Sequence, residues 1–207
     1  MVSSLLSEAG AREVEAAIAR VEQGTAAQVV VAIIPRSAEH WRGRVLVAVA
    51  WGLAAAFAVL EFFPGKAPAF ALSAELVLGM GAFFALGWSP LQRWLVSPQA
   101  GQQAAHARAF QLFAERGLYG TRGRTALLIF VSELERRVVL LGDATIDAQL
   151  GKAGWQQESK RLISRIREGR LRDGLLEALS DLEPRLAAAA PHEAGSPNEL
   201  PDAVIRR

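Results

Sequence analysis

The sequence predicts an α/β domain with a small central mixed sheet of three or four strands, flanked by helices. A two-helix transmembrane hairpin interrupts this domain after its first strand. Three observations lead to the prediction. Apolar, mostly β-branched residues fill 28–34, as in a strand covered on both faces. Two nearly uncharged segments follow, and each has about the 20 residues that cross a bilayer. Two further apolar runs, 126–131 and 137–141, lie beyond these segments.

The first strand is preceded by a predicted amphipathic helix over 8–22. Val14, Ile18 and Val21 recur at helical spacing, with charged residues between them. Ser7 is a suitable N-cap, and Gly24 ends the helix. Pro35 stops the strand that follows.

The apolar block predicts transmembrane helices over 45–63 and 69–88, joined by the turn EFFPGKAP. Soluble core helices are usually shorter and have a polar face, which neither segment has. The alternative is a buried hairpin in a soluble protein, but so small a chain could not cover two wholly apolar helices. The second segment carries one charge, Glu75, which would cost at least about 2.5–3.5 kcal/mol at the bilayer centre. We therefore expect partial burial, snorkelling or protonation of this carboxyl group, and its role stays open.

Basic flanking residues predict how the hairpin is oriented. Arg42 and Arg44 precede the first span and Arg93 follows the second, whereas the intervening turn has only Lys66. Because basic residues favour the cytoplasmic side, we expect two spans with both termini cytoplasmic.

The second soluble piece is predicted to contain a helix over 102–116 and an antiparallel hairpin of the strands 126–131 and 137–141. A helical region then begins over 143–150 and continues over 155–167, and a final helix covers 172–189. The tail 191–207 is rich in Pro, Gly, Ser and Asn and is expected to be irregular. A two-stranded hairpin is marginal by itself, and the first strand also needs neighbours. Segments 1–38 and 98–190 should therefore form one discontinuous domain, which requires an even number of spans.

Composition and motifs exclude several kinds of chemistry. The chain has 207 residues, 23 basic and 21 acidic side chains, and no cysteine. A net charge of +2 with interspersed signs argues against nucleic-acid binding. The three histidines are far apart, and no P-loop or nucleophile elbow occurs. The basic turn GTRGRT, 120–125, reads best as a solvated turn. Anion binding through its backbone N–H groups and contact with lipid head groups are the alternatives.

Two stretches, VEQGTAAQVVVAI and TRGRTALLIFVSELERRVVLLGDATI, resemble the TPM domain of thylakoid acid-phosphatase-like and photosystem II repair proteins. NELPDAVIRR at the end resembles the terminus of a bacterial membrane-anchored subset. The resemblance implies a sheet flanked by helices. It also implies acid-phosphatase activity and calcium binding, which are associated with some members of the family.

Asp143 is the single metal-ligand candidate, because it stands where the family has an aspartate after its hairpin. Asp147 follows at i+4 and could face the same way. A hard divalent cation such as calcium takes six or more oxygen ligands, and few acidic residues lie nearby in the sequence. The favoured interpretation of Asp143 is a helix N-cap. No catalytic and no cofactor-binding residue is predicted.

The expected function is a membrane-tethered, non-enzymatic interaction factor in membrane-protein assembly or quality control. Its expected partners are membrane lipids and other membrane proteins, with no nucleic acid. The alternative is a membrane-associated phosphatase or divalent-metal-dependent hydrolase, which would need several carboxylates in one cleft.

Overall fold

A computed structural model of the chain describes residues 6–37, 41–63, 65, 68–87, 98–121, 123–191 and 203–206. Seven of these, residues 41, 42, 150, 152, 153, 167 and 206, are described by their backbone alone. The chain forms two compact units. One consists of Met1–Ser37 with Gly101–Arg207, and the other is Ala38–Ala100.

The described elements begin with a helix and a strand, and the two apolar helices follow this first strand. In chain order they are α1 (Glu8–Gly24), β1 (Gln28–Ile34), α2 (Trp41–Phe62), α3 (Pro68–Ala85), α4 (Pro98–Glu115), a 3-10 turn (Leu118–Gly120), β2 (Ala126–Ser132), β3 (Arg137–Gly142), α5 (Ala144–Arg167), α6 (Leu171–Ala189) and β4 (Ile205–Arg206).

The sheet has the strand order β3-β2-β1-β4. β1 and β2 are parallel over their full length, from the pair Gln28 and Ala126 to the pair Ile34 and Ser132. β3 is antiparallel to β2, and β4 is parallel to β1. Parallel neighbours need a long crossover, and here that crossover contains α2, α3 and α4. The predicted mixed α/β sheet with inserted apolar helices is confirmed.

Both faces of the sheet are covered, which explains the continuous apolar runs in β1 and β2. Alternate residues of each strand point to opposite faces. Val29, Val31 and Ile33 of β1 pack on the side that α1, α5 and α6 cover. The intervening residues pack against α4, whose inward-facing residues are Ala105, Ala109, Leu112 and Phe113.

One predicted boundary was wrong. The tail was predicted to be irregular over 191–207, yet Ile205 and Arg206 pair with β1. The segment that pairs with β1 contains two apolar β-branched residues, Val204 and Ile205, which the polar composition of the tail did not reveal; residues 192–202 lie outside the described residues. The helical region predicted over 143–150 and 155–167 is α5, which the non-helical backbone of Gly151 (φ 62°, ψ 172°) divides into two parts.

The described part of the second unit contains α2 and α3. Two segments, 43–62 and 68–85, are long and apolar enough to cross a membrane, with mean hydropathies of 2.2 and 1.6. Of the residues in each segment, 11% are buried, so most of this apolar surface faces outward. The backbones approach closely, because a Cβ atom on Gly79 would lie 3.1 Å from the carbonyl oxygen of Ala48. Glu75 is half-buried, and its Cγ lies 3.1 Å from where a Cβ atom on Gly52 would be.

Arg44 joins the first turn of α2 to the last turn of α3. Its Nη2 donates a hydrogen bond to the carbonyl oxygen of Phe83 at 3.0 Å, and its guanidinium carbon lies 4.3 Å from the centre of the Phe83 ring. An arginine near a helix C-terminus satisfies carbonyl groups that the helix leaves unpaired. Lys66 and Arg93, on which the predicted orientation also depends, and the side chain of Arg42 lie outside what the structure describes.

Candidate functional site

Asp143 lies between the end of β3 and the start of α5. Its backbone is extended, its Oδ1 accepts a hydrogen bond from the Ala144 N–H at 2.7 Å, and the side chain caps α5. Its own N–H donates to the carbonyl oxygen of Ala126 at 2.8 Å, which ties the end of β3 to the start of β2. The N-cap interpretation from the sequence therefore describes the geometry of this residue.

The second carboxylate oxygen of Asp143 is the unusual feature of the site. Asp143 is 6% exposed, and its Oδ2 is buried without a hydrogen bond from any residue the structure describes. The hydroxyl group of Thr121, a residue that is likewise 6% exposed, is also buried without a hydrogen bond to any residue the structure describes. Buried polar atoms are usually paired. These two oxygens are consequently the atoms of this region that could accept or coordinate a further group.

The glycine-rich turn that precedes β2 is attached to the first turn of α5. The hydroxyl group of Thr145 donates to the carbonyl oxygen of Gly123 at 3.1 Å, and its N–H donates to that of Arg124 at 3.4 Å. Arg124 itself has a φ of 51°, a left-handed conformation that is uncommon for a residue with a side chain. Arg122 lies outside the described residues. The turn is thus fixed by hydrogen bonds to its carbonyl groups, which also include those of Thr121 and Thr125.

The Asp147 carboxylate binds a tryptophan side chain. Its Oδ1 accepts a hydrogen bond from Trp155 Nε1 at 2.7 Å, across the bend at Gly151. The indole ring also lies on the backbone of Gly142, where a Cβ atom would be 2.8 Å from Trp155 Cζ2. Only glycine fits at that point of β3. The Asp147 carboxylate therefore positions Trp155 against the sheet.

A divalent cation needs more oxygen donors than the described residues bring together at Asp143. Within the described ranges, no three His, Asp or Glu side chains come together as a metal ion requires. Calcium takes six to eight oxygen ligands, commonly including several carboxylates. Asp143 supplies one free carboxylate oxygen, and Asp147 is held by Trp155. The described residues thus do not fit a tightly bound calcium ion.

A buried acid that the sequence analysis did not single out lies on α5. Glu158 is 1% exposed, and neither of its carboxylate oxygens has a hydrogen-bond partner in the part of the chain that the structure describes. Arg161 Nη1 and Arg185 Nη2 approach one of these oxygens to 3.7 and 3.9 Å. The spacing of Glu158 with Leu162 and Ile166, at i+4 and i+8, was the signal that placed it on the buried stripe of the helix. Two arginines at ion-pair distance indicate an electrostatic link between α5 and α6.

A third polar cluster lies at the opposite end of the parallel strands. The Glu135 carboxylate accepts hydrogen bonds from the Ser37 N–H at 3.1 and 3.2 Å and from the Ser132 hydroxyl group. The N–H of Leu134 donates to the carbonyl oxygen of Pro35 at 2.9 Å. The β2–β3 turn therefore holds the chain where it leaves β1. Of the three histidines, His106 is exposed on α4, and His40 and His192 lie outside the described residues.

Strand order and layers define the class of protein: a small α/β domain with one mixed sheet, covered on both faces and carrying two apolar helices in its crossover. No family model matches the chain, and no curated protein matches it. The structure is similar to the NMR structure of the BA42 protein from the psychrophilic bacterium Bizionia argentinensis, with a TM-score of 0.60. The similarity covers 97% of this chain and 94% of that one, at 14% sequence identity. Such a likeness establishes the fold.

Proposed function

We propose that this chain is a membrane-tethered TPM-like domain protein that acts by binding other membrane proteins, as an assembly or quality-control factor without enzymatic activity. The observation that carries the proposal is the place of the apolar helices. They interrupt the domain between two parallel neighbours, β1 and β2. The domain is therefore attached to its hairpin at two points of the chain, which suits a protein that works beside a membrane surface.

The proposed topology places two spans in the inner membrane and both termini in the cytoplasm. β1 and β2 belong to one sheet, so the segments before and after the hairpin must lie on the same side of the membrane. An even number of spans satisfies this condition. Arg44 supports the cytoplasmic assignment, because its stem can lie along α3 while its charge reaches the interface.

Photo-crosslinking of the full chain in its native membranes tests the interaction role. A photoreactive residue at Phe110, which is 53% exposed on α4, should give discrete adducts with membrane proteins. The same residue at Phe113, which is 2% exposed, serves as the matched control and should give none, because no partner can reach it. If Phe110 and a series of other exposed positions on α4 and α6 yield no adduct, the interaction role is wrong.

The second candidate, a membrane-associated phosphatase, depends on the unpaired Oδ2 of Asp143. Asp143→Asn separates the two roles. As an N-cap, asparagine is about as good as aspartate, whereas alanine costs about 0.5–2 kcal/mol. We expect the Asn variant to unfold in urea much as the wild type does and the Ala variant to be less stable. Neither the wild type nor the Asn variant should hydrolyse a phosphomonoester. Wild-type hydrolysis that Asp143→Asn abolishes would establish the phosphatase instead.

A further inference from the structure

The edge of β1 that faces away from β2 is covered partly by the short strand β4 and partly by the Glu22 side chain. All seven residues of β1 pair with β2, whereas among the residues that the structure describes only Ala32 and Ile33 pair with β4. Nearer the start of the strand, the N–H of Val29 donates to Glu22 Oε1 at 2.7 Å. A carboxylate therefore takes the place that a neighbouring strand would fill. Exposed strand edges are sites where other chains can pair.

The C-terminal segment occupies this edge with two consecutive apolar side chains on opposite faces of the sheet. Val204 is 8% exposed and belongs to the core under α1, α5 and α6. Ile205 packs against the core on the α4 side. The N–H of Val204 donates to Glu15 Oε1 at 3.1 Å. The segment is thus held as an extended peptide, by its backbone and by a pocket on each face.

Glu15 and Glu22 form a row that runs beside the edge. They lie seven residues apart on α1, which is about 10.5 Å along a helix. The backbone groups that they bind both lie at this edge, at Val29 of β1 and at Val204, which precedes the residue paired with Ala32. Each accepts a backbone N–H, one from β1 and one from the C-terminal segment.

We propose that the outer edge of β1 is a strand-addition site for an extended partner peptide, and that the C-terminal segment is its intramolecular occupant. The site accepts a peptide that adds parallel to β1 and carries two consecutive β-branched apolar residues. The apolar pair packs against the two cores as Val204 and Ile205 do, one on each face of the sheet. This inference rests on the proposed interaction role and names the chemistry of the partner.

Displacement of the C-terminal segment is possible because that segment forms only a short strand. A longer peptide that also displaces the Glu22 carboxylate from the Val29 N–H can pair along more of β1, so it gains backbone hydrogen bonds that the two residues of β4 cannot make. Covalent linkage of the C-terminal segment opposes its displacement, because a linked segment competes at an effective concentration in the millimolar range. A peptide must therefore bind strongly enough to displace the chain's own terminus, and a weak or short peptide does not.

The test uses the full-length protein in mild detergent and a fluorescent synthetic peptide of sequence LPDAVIRR, followed by fluorescence anisotropy. A variant that lacks residues 203–207 should bind the peptide about tenfold or more tightly than the complete chain, because the tethered competitor is gone. A control peptide with aspartate in place of its Val-Ile pair should not bind. A truncated protein that retains its unfolding transition but does not bind the peptide would overturn the proposal.

A disulfide lock provides a second variant with the complete chain. The protein has no cysteine, and Ala32 and Ile205 are paired across the two strands, about 4.8 Å apart in a sheet, within the range that a disulfide spans. Ala32→Cys with Ile205→Cys should bind the peptide about tenfold more weakly when oxidised than when reduced. Equal binding in the two states contradicts the proposal. A dimer of the complete chain that is lost on truncation would also contradict the proposal. In that case the edge of β1 binds the C-terminal segment of a second copy.

The outcomes also separate this proposal from the interaction role. Peptide binding is measured on purified protein, whereas the Phe110 crosslinks require partners in native membranes. Crosslinks without peptide binding would refute the strand-addition site and leave the interaction role intact. Peptide binding without crosslinks would refute the assembly role and leave the peptide chemistry of the site standing.

Discussion

Replacing Phe113 by alanine is expected to lower the free energy of unfolding of the α/β unit by about 3–5 kcal/mol. Phe113 is 2% exposed and packs between α4 and the sheet. Its ring meets that of Tyr119 edge to face, with the ring centres 4.6 Å apart. Truncation removes these contacts and leaves a cavity that the sheet cannot close. Urea unfolding of the detergent-solubilised protein, followed by circular dichroism, measures the loss.

Phe110→Ala is the matched control for this experiment. Phe110 lies on the same helix but is 53% exposed, so its removal should change the free energy of unfolding by no more than about 0.5 kcal/mol. The comparison tests whether α4, the first helix after the apolar hairpin, packs on the sheet through the face that carries Phe113. Equal effects of the two substitutions would show that it does not.

Replacing residues 38–100 by a flexible Gly/Ser linker should convert the protein into a soluble, folded α/β domain. About 15 linker residues have a root-mean-square span of about 20 Å. The deletion removes exposed apolar side chains such as Leu46 and Phe62, which are 71% and 75% exposed. It leaves intact both cores that pack on the sheet. Size-exclusion chromatography without detergent and circular dichroism should show a monodisperse protein with helices and strands.

A shorter variant that begins at Gly101 is the control for the deletion. It keeps α4, β2, β3, α5 and α6 but loses α1 and β1. β2 then lacks its parallel partner, and the apolar side chains that pack against β1 on both faces are exposed. We expect this fragment to aggregate or to lack a cooperative transition. A fragment as stable as the linker-joined domain would show that the first segment is dispensable.

The central strands were predictable because their physical cause is local. Apolar β-branched residues fill 28–34, Pro35 ends the run, and the structure has β1 with these bounds. One sheet containing β1 and the β2–β3 hairpin was predictable, because neither soluble piece could form a complete, covered sheet alone. The helical region of α5 was predictable over 143–150 and 155–167, and the structure has a non-helical backbone between these segments at Gly151.

The remaining features depend on contacts between distant parts of the chain. Asp143 was predictable as a cap from the helix that follows it, but the burial of its Oδ2 depends on how the chain packs around it. The strand at Ile205 could not be predicted from composition, because two apolar residues in a polar tail acquire a partner only when the edge of β1 is open. Glu158 was detectable by its spacing and was overlooked because an acid on a helix is usually exposed.

The central claim is that residues before and after the apolar hairpin form one cooperative α/β domain. Native-state amide hydrogen exchange on the linker-joined domain tests it most directly, because exchange reports the opening free energy of each strand separately. The backbone amides of Val31 in β1 and Ile129 in β2, which are paired in the sheet, should exchange only through global unfolding, with the same free energy. Rapid exchange in β1 while β2 and β3 stay protected would contradict the claim.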